Sequence, residues 1–494
     1  MSESLVTAAG SVRPISRQRV RVATFVVAAT LLAALYYALA SSLERAGYVS
    51  ANLAFLGEKA ALGLHGLPPR LPNVGFVYPP LSYLLELPFP NVLIGGTVIA
   101  GILIAAVLDF LEHARIAGRV AMRIAQAYVV VSPMLLYLAV EDTSALIFAL
   151  LLAGSIHFIE RFLRNDYSLD LFVGSTLFGL TVFIDFRSIA LLLAIVPAAA
   201  LPRWRRSRSQ AVSVALTIAV PTVFFALALS YVNWVFLGDP FAYIHGRGSI
   251  FRTFPLTPDL LAAAGNPLQT ARTAFAALVV TLPVTLPYFV GLVTLRRGRA
   301  VYAIPATVVY ASPLLFVVFA IYSGLYRPTI ELLALFILVV VFSLDGIRPT
   351  RWFTAALALS FVASCVAPFV SSAPEERTFA QALIGHAPAD GNLVPFRHIA
   401  ERLGTHGLIL MDDTVLYPLV YVSPSADRFV LPYQYGFASA LSNPQAFVQY
   451  VVVARSTADE VYALYPGAEF GRLPGFHVID RQAQSITFER DGSP

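Results

Sequence analysis

At 494 residues and 53.5 kDa, the chain is 57% hydrophobic and only 13% charged, whereas an ordinary soluble protein is roughly 25% charged. With a mean hydropathy of +0.72, repeated membrane spans account for that length better than about three soluble domains. The net charge of +5 does not point to nucleic acid, because the arginine excess lies in short loops between apolar segments, and the single cysteine, Cys365, excludes an intrachain disulfide and a Cys-based zinc site.

In chain order, residues 1–20 form a basic segment, read as cytoplasmic, ahead of a retained first span rather than a cleaved signal peptide. Eleven apolar stretches reach or approach the roughly 17 to 25 residues that cross a bilayer. They lie near 21–41, 91–108, 124–140, 144–160, 169–184, 187–201, 211–237, 272–295, 301–323, 329–344 and 352–370. Orientation follows from the arginines, since short cytoplasmic loops collect basic residues. With the N-terminus inside, the inner segments hold 18 arginines, against eight basic residues in the outer segments before the tail. The N-terminus is therefore expected inside and the C-terminus outside. The membrane part is expected over 21–370, with long outer loops at 42–90 and 238–271. The first loop carries an amphipathic stretch from Tyr48 to Leu62 and, behind Tyr78-Pro79-Pro80, a short helix from Leu81 to Leu87 expected to lie in the interface.

The tail, 374–494, carries a net charge of −5 and leaves +10 to the rest. Apolar runs at 408–411 and 450–454 predict buried strands, with helical patterns at 396–403, 435–448 and 457–464 and a closing hairpin through FHVID and SITFER. The expected fold class is thus a polytopic α-helical membrane protein of about 11 spans in the cytoplasmic (inner) membrane, with a small extracytoplasmic α/β domain.

Ionisable groups at membrane depth are costly and persist mostly where they are paired or line a wet cavity. At the outer ends of spans stand Glu44, Glu141 with Asp142, Asp185 with Arg187, then Asp239, His245, Arg247 and Arg252, and finally Arg327. Carboxylates with arginines on one membrane face suit a phosphate-bearing lipid substrate, since Arg grips phosphate through a planar fork and a carboxylate takes a proton from an attacking hydroxyl. Each also has a plain structural reading. Glu44 pairs with Arg45; Glu141-Asp142 caps the next helix; Asp185 and Arg187 pair with each other; Asp239-Pro240 makes a turn; Asp412-Asp413 caps a helix after a strand. No HExxH, GxxxxGK[ST] or strand-placed GxGxxG occurs, so no metal, nucleotide or other cofactor is expected.

The membrane part resembles the GT-C membrane glycosyltransferases that use polyprenyl-phosphate sugars, near the protein mannosyltransferase and aminoarabinose transferase group. The resemblance rests on Glu44 with Tyr48 and Tyr78-Pro79-Pro80-Leu81 in the first outer loop, and on Pro133 followed by Glu141-Asp142-Thr143. It continues with Phe186-Arg187, Asn233-Trp234 with Gly238-Asp239-Pro240, and Tyr326-Arg327-Pro328. It departs from the family pattern at the first acidic residue, usually Asp and often one of a pair, where Glu44 is followed by Arg45.

That resemblance implies inverting transfer of a sugar from a polyprenyl-phosphate donor to a lipid, glycan or protein acceptor on the outer membrane face. Glu44 or Glu58 would be the base, Glu44 being nearer the span. Glu141 and Asp142 would orient a substrate, Arg187, Arg327 and Arg247 would hold the donor phosphate, and Tyr48, Glu58, Tyr78, Asp239 and His245 would contact substrate. The rival reading is a secondary transporter or lipid flippase of cell-envelope precursors; against it, no matching halves are found and the charges gather at one face.

Overall fold

A computed structural model of the chain describes residues 15–68, 79–89, 91–113, 118–204, 207–245, 350–370, 374–386 and 393–492, with isolated positions at 283, 286, 287 and 290. The expected spans 272–295, 301–323 and 329–344 lie outside the described residues, as do Tyr78, Arg247, Arg252, Arg327 and the side chains of Arg187 and His245.

The chain is mostly helical. Among the described residues, six helical segments are long and apolar enough to cross a membrane. They are α1 (Ile15–Arg45), α4 (Val92–His113), α5 (Arg119–Val131) with α6 (Pro133–Glu141), α7 (Thr143–Asn165), α10 (Arg208–Leu237) and α12 (Arg351–Val370). Two shorter apolar helices, α8 (Ser168–Leu180) and α9 (Leu192–Trp204), fall where the fifth and sixth spans are expected, and a single helical turn, α11 (Ala242–His245), follows α10. The third span is not one helix. Ser132 is extended (φ −60°, ψ 125°) and Pro133 restarts the chain as α6, because proline offers no N–H to the preceding turn and keeps its predecessor out of the helical region.

Helices α1 and α4 approach closely at Gly101, where a Cβ would sit 2.7 Å from the Ala29 carbonyl oxygen and the Ala33 nitrogen. Contact of this kind between backbones is how helices associate where no hydrophobic drive separates them from lipid. At one end of the bundle, ion pairs tie neighbouring helices: Arg21 with Asp109, Arg203 with Asp166, and Arg161 with Asp170 at 3.4 Å. The opposite end carries Glu44, Glu141 and Asp142, and the C-terminal unit sits on it.

That unit is a five-stranded mixed sheet in the order β2-β1-β3-β5-β4, formed by β1 (Ile409–Leu410), β2 (Phe429–Val430), β3 (Tyr450–Ala454), β4 (Phe476–Arg481) and β5 (Ser485–Arg490). β1 runs parallel to β2 and β3, while β5 is antiparallel to both β3 and β4. The central strand β3 is buried throughout, as its unbroken apolar run requires. Helices α13 (Pro374–Leu383), α14 (Val394–Leu403) and α15 (Asp413–Val422) link it to the bundle.

Residues 42–90, the expected first outer loop, depart from the expected form where they are described. Their amphipathic stretch is α2 (Ala51–His65), and this helix faces protein on the tail side: Leu62 is fully buried among Ile399, Leu403, Leu416 and Phe429. Behind Pro79-Pro80, only α3 (Leu81–Leu84) is helical, and Tyr83 and Glu86 are buried rather than laid along a lipid surface.

Candidate active site

α1 ends in a Schellman cap. Gly47 takes a positive φ of 88°, its N–H donates to the Glu44 carbonyl at 2.9 Å, and the Tyr48 N–H reaches back to the Leu43 carbonyl at 2.9 Å. Glycine suits that left-handed position, and Leu43 and Tyr48, the residues a Schellman motif brings together, are both buried in the same apolar cluster. The cap aims the chain from α1 into α2 and leaves Glu44, half-buried, at the helix end. Arg45 turns away from it and donates from Nε to the Ser41 carbonyl at 3.0 Å, so among the described residues Glu44 and Arg45 make no ion pair.

Residues from the C-terminal unit close around this helix end. Arg397 donates from Nη2 to the Glu44 carbonyl at 3.0 Å, the Leu393 N–H donates to the Gly47 carbonyl at 3.0 Å, and the Tyr421 hydroxyl donates to Glu44 Oε1 at 3.1 Å. Burial, and then the Glu44 and Glu141 carboxylates, push the Tyr421 phenol well above its ordinary range. It stays protonated and acts as the donor.

Glu141 and Asp142 fasten α2 to the junction between α6 and α7. Ser50 caps α2, its hydroxyl accepting from the Leu53 N–H at 3.0 Å. Its backbone N–H donates to Glu141 Oε2 at 2.8 Å and its hydroxyl donates to the Glu141 carbonyl at 2.6 Å. Asp142 caps α7, accepting from the Ala145 N–H at 3.0 Å, and the same oxygen accepts from Asn52 Nδ2. The capping reading of Asp142 therefore holds, and the cap also serves as an anchor for α2.

Glu58 lies in a buried charge cluster with the protein's only lysine. Lys59 Nζ is 2.5 Å from Asp413 Oδ2 on α15 and 3.3 Å from Glu58 Oε2. All three residues are nearly inaccessible. Burial would lower the ammonium and raise both carboxyls. The neighbours win for Lys59, which is held above its ordinary range by Asp413 and then Glu58, and for Asp413, which Lys59 holds below it. Glu58 stays raised, because burial outweighs Lys59 there. This arrangement ties α2 to the tail through α15. Tyr48 is likewise fully buried, 6.1 Å from the Phe379 ring on α13. Asp239 Oδ1 accepts from the Phe241 N–H at 2.9 Å, the turn that Asp-Pro predicts.

Glu86 was not singled out in the sequence. It is 3% exposed, lies against Gly95 and Gly96 at the start of α4, and burial pushes its carboxyl up to about 8. A Glu in YPPLSYLLEL reads as the wet face of a surface helix, and only the packing of α4 against it shows otherwise. Among the described residues, no group of three or more His, Cys, Asp or Glu is placed to hold a metal ion.

No protein-family model matches the chain, and no curated protein matches it. Among solved structures, the chain is similar to the crystal structure of ArnT from Cupriavidus metallidurans bound to undecaprenyl phosphate. The two are 14% identical, with 95% of this chain and 98% of that chain covered, at a TM-score of 0.41.

Proposed function

We propose that the chain is a membrane glycosyltransferase that moves a sugar from a polyprenyl-phosphate donor to an acceptor hydroxyl on the outer face of the cytoplasmic membrane, with inversion. The observation that carries this reading is the gathering of Glu44, Glu141 and Asp142 at one end of the bundle, with one oxygen of Glu44 held by Tyr421. Oε2 of Glu44 makes no hydrogen bond among the described residues. In the proposed reaction that oxygen takes the acceptor proton as the acceptor oxygen bonds to the anomeric carbon. The bond from that carbon to the lipid phosphate breaks, and the phosphate leaves with the electron pair.

Arg187, Arg327 and Arg247 are proposed to receive the leaving phosphate, a role that suits guanidinium geometry. Glu141 and Asp142 set the wall of the site by fixing α2 to α7, and Asp239 with His245 belongs to the second outer loop bordering it. The proposed organisation is a cytoplasmic segment (1–20), a membrane domain (21–370) and an extracytoplasmic α/β domain (374–494). The test is incubation of the purified full chain with a panel of polyprenyl-phosphate sugars and measurement of free polyprenyl phosphate. Release with at least one donor, dependent on added acceptor, is expected; no release with any donor and acceptor overturns the reading.

A further inference from the structure

The C-terminal unit reaches the carboxylate of the candidate base through the Tyr421 side chain, and the local packing explains how. α15 begins at Asp413, which Lys59 of α2 holds at 2.5 Å, so the start of α15 is fixed along α2. Two turns on, the Tyr421 ring lies against the α2 backbone at Gly57, where a Cβ would sit 2.5 Å from Tyr421 Cδ2 and 2.8 Å from Cε2. Glycine at 57 therefore lets the ring approach, and from there the hydroxyl meets Glu44 Oε1 at 3.1 Å across 377 positions of sequence. Arg397 on the same unit fixes the Glu44 backbone at its carbonyl.

A carboxylate on a helix end turns about three side-chain torsions, and ordering it costs entropy at each turnover unless the protein has already fixed it. A donor on one oxygen pins the carboxylate plane and leaves the other oxygen for the acceptor proton. We infer that Tyr421 is a positioning residue of the transferase site, supplied by the C-terminal domain, which orients Glu44 through its hydroxyl. The inference rests on the proposed role of Glu44 as base.

The test uses the full chain and the polyprenyl-phosphate sugar released fastest in the panel. Tyr421→Phe is expected to lower kcat about tenfold while the donor KM stays within about twofold, the pattern of an interaction used in the transition state. Gly57→Ala, which keeps the hydroxyl but displaces the ring, is expected to give a similar kcat loss with the tail still protected from protease. In a Glu44→Gln background, neither change should lower the residual rate further, because both act through Glu44. A tenfold loss that persists in that background, or an unchanged kcat in Tyr421→Phe, overturns the positioning role. Full turnover in Glu44→Gln alone removes the base and the positioning role together. Loss in Glu44→Gln with Tyr421→Phe silent removes only the positioning role.

Discussion

Lys59→Met should separate the tail from the membrane part more effectively than any other single change to the cluster at their contact. The ammonium is 6% exposed at its side chain and faces two carboxyls, Asp413 at 2.5 Å and Glu58 at 3.3 Å. Without it, Asp413 is left as an uncompensated buried charge, a loss of about 3 to 5 kcal/mol. Asp413→Asn should be gentler, about 1 to 2 kcal/mol, because it leaves no buried carboxylate unpaired, the amide can still accept a hydrogen bond from Lys59, and Glu58 remains beside the ammonium at 3.3 Å. Lys59→Met combined with Asp413→Leu should recover most of the loss, since an apolar pair of similar volume often replaces a buried ion pair without cost. Thermal melts of the purified full chain, with protease cutting between the two parts as readout, measure all three. Equal costs for Lys59→Met and Asp413→Asn, or no rescue in the double change, would refute the argument. The same cluster gives a pH signature. Asp413 is depressed, so its contribution is present above its ordinary value of 3.8 and is lost as pH falls through its lower folded value. Glu58 is raised, so its contribution is lost as pH rises above 4.5. Docking is therefore tightest between about pH 3.8 and 4.5, and Glu58→Gln should reduce the loss on the alkaline side of that window.

Glu44→Gln should reduce turnover by roughly 10² to 10⁴ with donor binding retained, measured as polyprenyl phosphate release; unchanged turnover assigns the base elsewhere. Arg187→Lys and Arg327→Lys should each weaken donor binding by about 1.5 to 3 kcal/mol, because an ammonium keeps the charge without the two-pronged geometry, and titration with labelled donor checks this. Glu86→Gln should flatten the pH dependence of stability between 4.5 and about 8. In that window the unfolded carboxyl ionises and the folded one does not, so the native chain loses stability as pH rises, by up to about 1.4 kcal/mol per unit. Asp142→Ala should cost about 1 to 2 kcal/mol in thermal stability through loss of the α7 cap, and hydrogen exchange at Ala145 locates the effect.

The sequence makes some of this arrangement legible because the responsible interactions are local. Apolar runs of span length mark α1, α4, α7, α10 and α12, and the strands at 409–410 and 450–454 follow from short apolar runs between polar residues. The Asp142 cap follows from a carboxylate placed ahead of an apolar helix. The break before Pro133 was equally available, since proline excludes its predecessor from the helix, yet the hydropathy of 124–140 reads straight through it. What stays hidden depends on distant pairings. Tyr421 sits in YPLVYV and reads as apolar filling; its partner lies 377 positions away. Lys59 and Asp413, 354 apart, each read as a solvated charge. The strand Phe429–Val430 is two residues long and exists by pairing with β1, so no local pattern announces it.

The contacts between the two ends of the chain also impose an order in time. Ribosomes add about 5 to 20 residues per second, so roughly 20 to 70 seconds pass between the emergence of Lys59 and that of Asp413, the partner 354 positions later. During that interval α1 and α2 are already made, with an unmatched ammonium, a bare Leu62 and a carboxylate at residue 44 that nothing from the tail yet holds. A chain truncated before Tyr421 would insert its spans and still lack the donor to Glu44. In the proposed reaction such a chain keeps Glu44 without the hydrogen bond that positions it, so its turnover is expected to be no higher than that of Tyr421→Phe.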